Sequence, residues 1–352
     1  MVRRLADGAC DTSWGRRELV TRNDARAFVP ARRRREMDIV AVRTLVFHDG
    51  ALGDALLSLP CISAMSRHSA PLDAVCRNDV GSLLRSSGFI ERAFSSDSGV
   101  FSSWYAGYPA DAAREMVVPY GRVFVFTRHE GSSLAMGIAA AVPDTQVIVT
   151  VPPAGERTHV AEFRLRQLPA ALRDDAPHRL SVPSPVRQQA RGVLMRAGSD
   201  GQGLIVLHPG SGGQRKCWPL ERYFALAERL EERAGAFILF LSGPAEEPPV
   251  KGRIEQFVRA RTGMAQVADA DLSIVAGLLA QCGLFVGNDS GISHLAAAAG
   301  APVISLFGPT DPALWGPCGE PVRVIAAATM EDITVDAVLA AAEEVGVRAF
   351  SS

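Results

Sequence analysis

The sequence predicts an α/β protein with two parallel β-sheets that face each other across a cleft. Short apolar stretches, typical of strands buried on both faces, alternate with helical segments along most of the chain. The alternation pauses at a proline-rich stretch, residues 177–185, and then resumes, which indicates two domains. Several apolar stretches run directly into glycine-rich or acidic turns, as strands do at the ligand-binding edge of a parallel sheet.

Residues 38–182 are predicted to form the first domain. Its predicted strands are 42–47, 72–76, 123–126 and 146–151. Its predicted helices are 54–67, 80–86, 100–105, 132–141 and 159–172. Because strands that alternate with helices pair in parallel, this order is typical of a Rossmann-like domain.

Residues 187–330 are predicted to form a second Rossmann-like domain, followed by a C-terminal helix and tail at 331–352. Its predicted strands are 204–207, 236–241, 284–286 and 303–307. Its predicted helices are 187–197, 219–233, 254–261, 271–281 and an alanine-rich helix that ends near 300. Pro219 fits the first turn of its helix, where a missing backbone N–H costs nothing.

Residues 1–37 differ from the rest of the chain. They carry many arginines, four of them consecutive at 32–35, and no strand or helix pattern. We interpret them as a disordered basic arm, or as an over-extended gene start with the true initiator at Met37. A role of this arm at nucleic acid or a membrane surface is a less favoured alternative, since a run of like charges is usually a solvated tail.

Composition excludes several classes of protein. Apolar residues make up 47% of the 352 residues and charged residues 21%, as in a soluble globular protein. A net charge of −1 gives no general attraction to nucleic acid. No apolar run approaches the roughly 20 residues that span a bilayer, and no secretory signal is recognised at the start. The six cysteines are scattered without a CxxC pair, which argues against a zinc site and for the cytosol.

The turn after the first strand carries two glycines and an acid. Gly50 and Gly53 allow a tight turn and the close approach of a ligand. Asp54 opens the following helix, where a carboxylate at a cleft could accept a proton from a substrate hydroxyl. A carboxylate that only stabilises the helix dipole is the alternative. The spacing is not GxGxxG, so dinucleotide binding is not indicated here.

The turn at 208–219 has the parts of a phosphate site. Ser211 supplies a hydroxyl, Gly212 a free amide and Lys216 a compact positive charge ahead of a helix. Only one other lysine, Lys251, occurs in the whole arginine-rich chain. The loop is not a Walker A motif, and an ordinary surface glycine turn is the alternative.

Two further strand ends carry polar residues. Glu246 follows the strand at 236–241, where a carboxylate can bind ribose hydroxyls or simply stand exposed at a helix start. The last turn contains Asp289, Ser290, Gly291 and His294, which suit an anionic or hydroxyl-rich ligand but also describe a capped helix. Because the carboxyl ends of parallel strands share one edge, the second domain is predicted to bind a phosphorylated nucleotide.

These residues make the sequence resemble the ADP-heptose lipopolysaccharide heptosyltransferases of glycosyltransferase family 9. The resemblance runs from about Val42 to Val345. Its strongest signatures are GDAL at 53–56 with Pro60, HPG at 208–210, KCWP at 216–219, DSG at 289–291 with His294, and FGPT at 307–310.

The resemblance implies a GT-B fold with the donor in the C-terminal domain. It implies inverting, metal-independent transfer of a heptose from ADP-heptose to a hydroxyl of a lipopolysaccharide-core-type acceptor, with no cofactor. Position by position, it implies Asp54 as general base, Lys216 as diphosphate contact with Ser211 beside it, and Glu246 as ribose contact. The donor-sugar and phosphate motif is then Asp289, Ser290, Gly291 and His294.

The implied partners are a sugar nucleotide and a glycolipid or glycan acceptor, for a monomeric cytoplasmic enzyme. Peripheral contact with the inner face of the membrane stays open, and residues 95–118 match nothing in the family pattern. Two alternatives also stay open. One is a family-9-like enzyme with another sugar nucleotide, or with a small-metabolite or surface-glycan acceptor. The other is a sugar-nucleotide epimerase or a nucleotide-sugar binding protein without turnover.

Overall fold

The computed structural model describes residues 43–69, 71–107, 109–174 and 178–345. The predicted basic arm at 1–37 and the end of the chain after 345 lie outside the described residues. One sheet is built from strands between residues 44 and 149, and the other from strands between 204 and 326. All strand pairings among the described residues are parallel, which confirms the predicted α/β class.

The first sheet has five strands in the order β3-β2-β1-β4-β5. The strands are β1 (Thr44–His48), β2 (Leu72–Cys76), β3 (Arg92–Ser95), β4 (Arg122–Thr127) and β5 (Thr145–Val149). The helices are α1 (Leu52–Leu57), α2 (Leu59–His68), α3 (Asn78–Ser86), α4 (Gly99–Tyr105), α5 (Asp111–Val117), α6 (Ser133–Ala141) and α7 (Val160–Arg166). The strand order reverses between β1 and β4, which is where open α/β sheets bind ligands.

The second sheet has six strands in the order β11-β10-β9-β6-β7-β8. The strands are β6 (Leu204–His208), β7 (Phe237–Ser242), β8 (Met264–Ala268), β9 (Leu284–Asn288), β10 (Val303–Phe307) and β11 (Val322–Ala326). The helices are α8 (Ser184–Arg196), α9 (Leu220–Ala234), α10 (Pro248–Arg259), α11 (Leu272–Leu279), α12 (Gly291–Ala299), α13 (Pro312–Trp315) and α14 (Val335–Glu344). Here the strand order reverses between β6 and β9.

The predicted helix at 54–67 is two helices that meet at Ser58. This residue ends α1 and precedes α2, and Pro60 stands in the first turn of α2. A proline in the middle of one continuous helix would remove a hydrogen bond and clash with the preceding turn, so the chain restarts there. The predicted helix at 159–172 likewise ends early, at Arg166, ahead of Pro169.

The two halves pack against each other through helices from both. The N-terminal turns of α1 and α12 are in contact, and α3 lies against α11. The Ser86 hydroxyl of α3 is 3.1 Å from the Ser273 hydroxyl of α11. In the described ranges, every helix falls short of the length and apolar character that a membrane crossing requires.

Candidate active site

A cleft lies between the carboxyl edges of the two sheets. It contains two adjacent cavities, of about 270 Å³ and about 420 Å³. The cavities share a wall formed by short-side-chain residues from both halves: Ala51, Gly53, Ser211, Gly212, Ser290 and Gly291. A single extended ligand can therefore occupy both cavities, with its middle against this wall.

The smaller cavity is mostly apolar. Its apolar lining comes from Leu241, Val267, Leu272, Val275 and Ile292, with Glu246 at one side. Arg77 and Asp79, at the start of α3 in the first half, also line it. Sequence reasoning missed these two residues, because α3 was predicted to begin only after them.

The larger cavity collects most of the predicted site residues. It is lined by Asp54 from the first half and, from the second, by Lys216, Asp289, His294, Thr310 and Trp315. Burial lowers the pKa of His294 to about 4, so its imidazole is neutral at pH 7.

The Asp289 carboxylate holds Lys216 rather than capping the helix. Its Oδ2 accepts hydrogen bonds from Lys216 Nζ at 2.7 Å and from Thr310 Oγ1 at 2.6 Å. The neighbouring Ser290 is the N-cap of α12 and accepts from Ser293 N. The Asp289 carbonyl accepts from Ser211 Oγ at 2.7 Å. The strand end at 289 and the loop at 211–216 are thus joined into one surface.

Asn288, which sequence reasoning missed, fixes the glycine loop to β9. The side chain is fully buried, and its Nδ2 donates to Pro209 O at 2.7 Å and Gly210 O at 3.3 Å. Its Oδ1 accepts from Trp218 N and Tyr223 Oη, both at 3.0 Å. A polar residue that ends an otherwise apolar buried strand was the available signal, since a buried amide needs several partners.

Glu246 is buried, so the alternative of an exposed glutamate at a helix start is wrong. Its Oε2 accepts from Gly243 N, and its Oε1 lies 3.5 Å from His208 Nε2. Burial raises the pKa of Glu246 and lowers the pKa of His208 to about 4. The adjacent Glu247 is exposed and only precedes α10.

Asp54 lies in the first turn of α1, opposite the Lys216 side of the cleft. Its side chain is 42% exposed, and its Oδ1 accepts from Arg164 Nη2 at 2.9 Å. Arg164 is fully buried and was not singled out from the sequence, because nothing distinguishes it there from the other arginines.

The predicted loop glycines allow two close approaches. A Cβ atom on Gly50 would lie 2.8 Å from Asp54 Cβ. A Cβ atom on Gly291 would lie 3.0 Å from Gly53 N and 3.0 Å from Leu52 Cβ, so the backbones of α1 and α12 touch across the cleft. Among the residues that the structure describes, no cluster of three or more His, Cys, Asp or Glu could hold a metal ion.

Comparison with known proteins identifies a family. The profile of glycosyltransferase family 9 (heptosyltransferase) matches residues 155–339, more than half of the chain. A lipooligosaccharide heptosyltransferase 2 of Haemophilus influenzae is 36% identical over 126 residues, which cover 35% of this chain and 36% of the relative. The alignments with the curated relatives span about a third of the relatives' length.

Solved structures extend the similarity to the whole fold. The family 9 glycosyl transferase from Veillonella parvula superposes with a TM-score of 0.71 at 21% identity, over 86% of this chain and 97% of that one. The Escherichia coli heptosyltransferase WaaC with ADP gives 0.66 at 19% identity, over 86% and 100%. The chain therefore belongs to glycosyltransferase family 9, the heptosyltransferase family, and has the GT-B fold that the sequence predicted.

Proposed function

We propose that the protein transfers a heptose from ADP-heptose to a hydroxyl of a lipopolysaccharide-core-type acceptor, with inversion at the anomeric carbon. One observation carries the proposal. The carboxylate of Asp54 from one half lines the same cavity as Lys216 and Asp289 of the other half. An acid–base group and a charge-stabilising group on opposite walls suit transfer between two substrates.

The proposed donor lies along the cleft with its adenine in the smaller cavity and its sugar in the larger one. The apolar cavity of about 270 Å³ suits the adenine ring, and the buried Glu246 at its side suits the ribose hydroxyls. The diphosphate then lies against the shared wall, at Ser211, Gly212 and the N-terminus of α12. Helix N-termini bind anions through free backbone amides and the helix dipole. The solved structure of WaaC with ADP, a protein of the same fold, supports the choice of ADP as the nucleotide.

The heptose then occupies the larger cavity, beside Asp289, His294 and Thr310. Asp54 takes the proton from the acceptor hydroxyl as that hydroxyl attacks the anomeric carbon, a role worth about 10² to 10⁴ in rate. Lys216 and the amides at Ser290 stabilise the charge that develops on the departing ADP, with a few kcal/mol from each preorganised donor. This positive charge does the work of a metal ion, so the proposed reaction is metal-independent.

The acceptor class is proposed because the chain belongs to glycosyltransferase family 9. The protein is proposed to act as a monomer in the cytoplasm, in peripheral contact with the membrane face that carries the glycolipid.

A nucleotide panel tests the donor. Thermal unfolding is measured with ADP, UDP, GDP and the matching sugar nucleotides. We expect stabilisation with the adenine compounds, of about 2.7 kcal/mol at a hundredfold excess over Kd. Stabilisation by UDP or GDP alone would contradict the ADP donor and favour another sugar nucleotide.

A transfer assay tests the base. Asp54→Asn is expected to lower kcat by about 10² to 10⁴ while ADP binds as before, because the acid lies on the wall opposite the nucleotide. Asp49→Asn, in the same turn but exposed and outside both cavities, is the control and should keep its turnover. Retained turnover in Asp54→Asn removes Asp54 from the base role, and conversion of the donor without an acceptor would indicate an epimerase.

A further inference from the structure

The guanidinium of Arg164 is a fully buried charge in the first half. Its side chain is 0% exposed, although the residue stands in the last turn of the short helix α7. Removing a charged group from water costs several kcal/mol unless hydrogen bonds and an opposite charge compensate for it. A buried arginine therefore needs a reason, and its partners supply one.

Those partners converge on the first turn of α1. Arg164 Nη2 donates to Asp54 Oδ1 at 2.9 Å, and Nη1 donates to the Asp54 carbonyl at 2.6 Å. Nη1 also donates to Ser58 Oγ at 2.8 Å, while Nε donates to Thr150 O at 2.9 Å beyond the end of β5. One planar group thus ties the side chain and the backbone of Asp54 to the neighbouring sheet.

We propose that Arg164 is a positioning residue that leaves one oxygen of Asp54, Oδ2, to take the acceptor proton. The inference rests on the proposed role of Asp54 as the base. Oδ1 is occupied by the guanidinium, whereas Oδ2 receives no hydrogen bond from any of the described residues. Since Asp54 is 42% exposed and lines the larger cavity, Oδ2 is the oxygen that the acceptor hydroxyl can reach.

A second contact chain makes the positioning stronger. Ser58 Oγ, fully buried, accepts from Arg164 and lies 3.0 Å from His48 Nε2. Burial and the nearby guanidinium lower the pKa of His48 to about 4, so the ring is neutral and Nε2 can accept the serine proton. His48 ends β1, and Asp54 lies in the first turn of α1. Arg164 therefore contacts the turn directly at Asp54 and is linked to its β1 end through Ser58.

The geometry demands an arginine. The guanidinium donates four hydrogen bonds from its three nitrogens. A lysine ammonium is a point charge and cannot reach all of these acceptors at once. A merely structural arginine would affect stability and every function of the protein together. A positioning arginine affects the chemical step and leaves donor binding in the other half unchanged.

The test compares Arg164→Met with Arg166→Ala. Arg166 is on the same helix but is 60% exposed and pairs with Glu162, so its removal controls for the loss of an arginine from α7. For Arg164→Met we expect kcat to fall by on the order of 100-fold, the effect of misplacing a reacting group by about 1 Å. The Kd for ADP should stay within about twofold of the unchanged protein.

Chemical rescue separates positioning from folding. Guanidinium ion at low millimolar concentration can refill the space that Arg164→Met leaves and should restore part of kcat. Urea has the same planar shape without the charge and should restore none. The proposal is overturned if Arg164→Met keeps kcat within about threefold, if guanidinium fails to restore activity, or if ADP binding is lost along with turnover.

A measurement that does not depend on enzymatic turnover tests the anchoring by Arg164 separately from the proposed function. Amide hydrogen exchange across residues 49–58 should be faster in Arg164→Met than in the unchanged protein, because the turn loses its anchor. If the unchanged protein transfers no sugar but this exchange still accelerates, the proposed function fails while the anchoring stands. Unchanged exchange would overturn the anchoring itself.

Discussion

Adding one methyl group at Gly210 should move Glu246 out of the proposed nucleotide site. A Cβ atom at position 210 would lie 1.4 Å from Glu246 Oε1 and 2.4 Å from its carboxyl carbon. The carboxyl group must retreat by about 1.6 Å to reach the 3.0 Å that is the lower limit of real Cβ contacts. That movement breaks the hydrogen bond from Gly243 N and takes the carboxylate away from the proposed ribose position.

The expected loss is that of a hydrogen bond to a charged group. Such bonds are worth about 1.5–3 kcal/mol, which corresponds to a Kd for ADP raised by about 10- to 150-fold. Isothermal titration of Gly210→Ala with ADP measures it directly. Gly213→Ala is the matched control, because its Cβ would meet nothing within 4 Å in the described part of the chain and its φ of −160° suits any residue.

A double-mutant cycle identifies the cause. If Gly210→Ala acts through Glu246, it should change the Kd very little in a Glu246→Ala background. The reasoning is refuted if Gly210→Ala binds ADP within about twofold of the unchanged protein, or if the two substitutions are fully additive.

Three further outcomes follow from the same cleft. Lys216→Met should lower kcat at saturating donor by about 10² to 10³, as the loss of one preorganised donor does, and a steady-state assay with unchanged kcat would contradict this. Asp289→Asn should raise the donor KM about tenfold with little change in Tm, because Ser290 keeps the helix cap; a large fall in Tm would show a structural role instead. Burial lowers the pKa of three histidines to about 4, so between pH 6.5 and pH 4 only the unfolded chain binds their protons. The free energy of unfolding should therefore fall as the pH drops through this range, by roughly 1 kcal/mol per pH unit for each histidine. Urea unfolding at several pH values measures this, and a flat profile would refute the neutral burial of these residues: His48, His208 and His294.

The central strands could be predicted from sequence because they are buried on both faces. β1, β6 and β10 are mostly apolar, and every residue in them is buried. The missed strands β3, β8 and β11 lie at sheet edges and are partly exposed, so they lack this pattern. Edge strands carry polar residues that the apolar pattern does not detect.

The convergence of Ser211, Glu246 and Asp289 at one sheet edge could be predicted for a topological reason. Ser211, Glu246 and Asp289 follow different strands of one parallel sheet, and the ends of those strands share an edge. Arg164 could not be found in this way, because it stands 110 positions from Asp54 on a helix. Only the fold shows that this arginine, among so many, is buried against an acid.

The contact between Gly53 and Gly291 has a consequence for the width of the cleft. Because a Cβ atom at 291 would already be 3.0 Å from the backbone of α1, the two halves touch main chain to main chain at this point. The absence of side chains at these two glycines thus sets how closely the two halves approach at this point, and with it the distance between the proposed acceptor and donor sides of the cleft. Any larger residue at 291 would push the two halves apart and, in the proposed reaction, lengthen the distance between the attacking hydroxyl and the anomeric carbon.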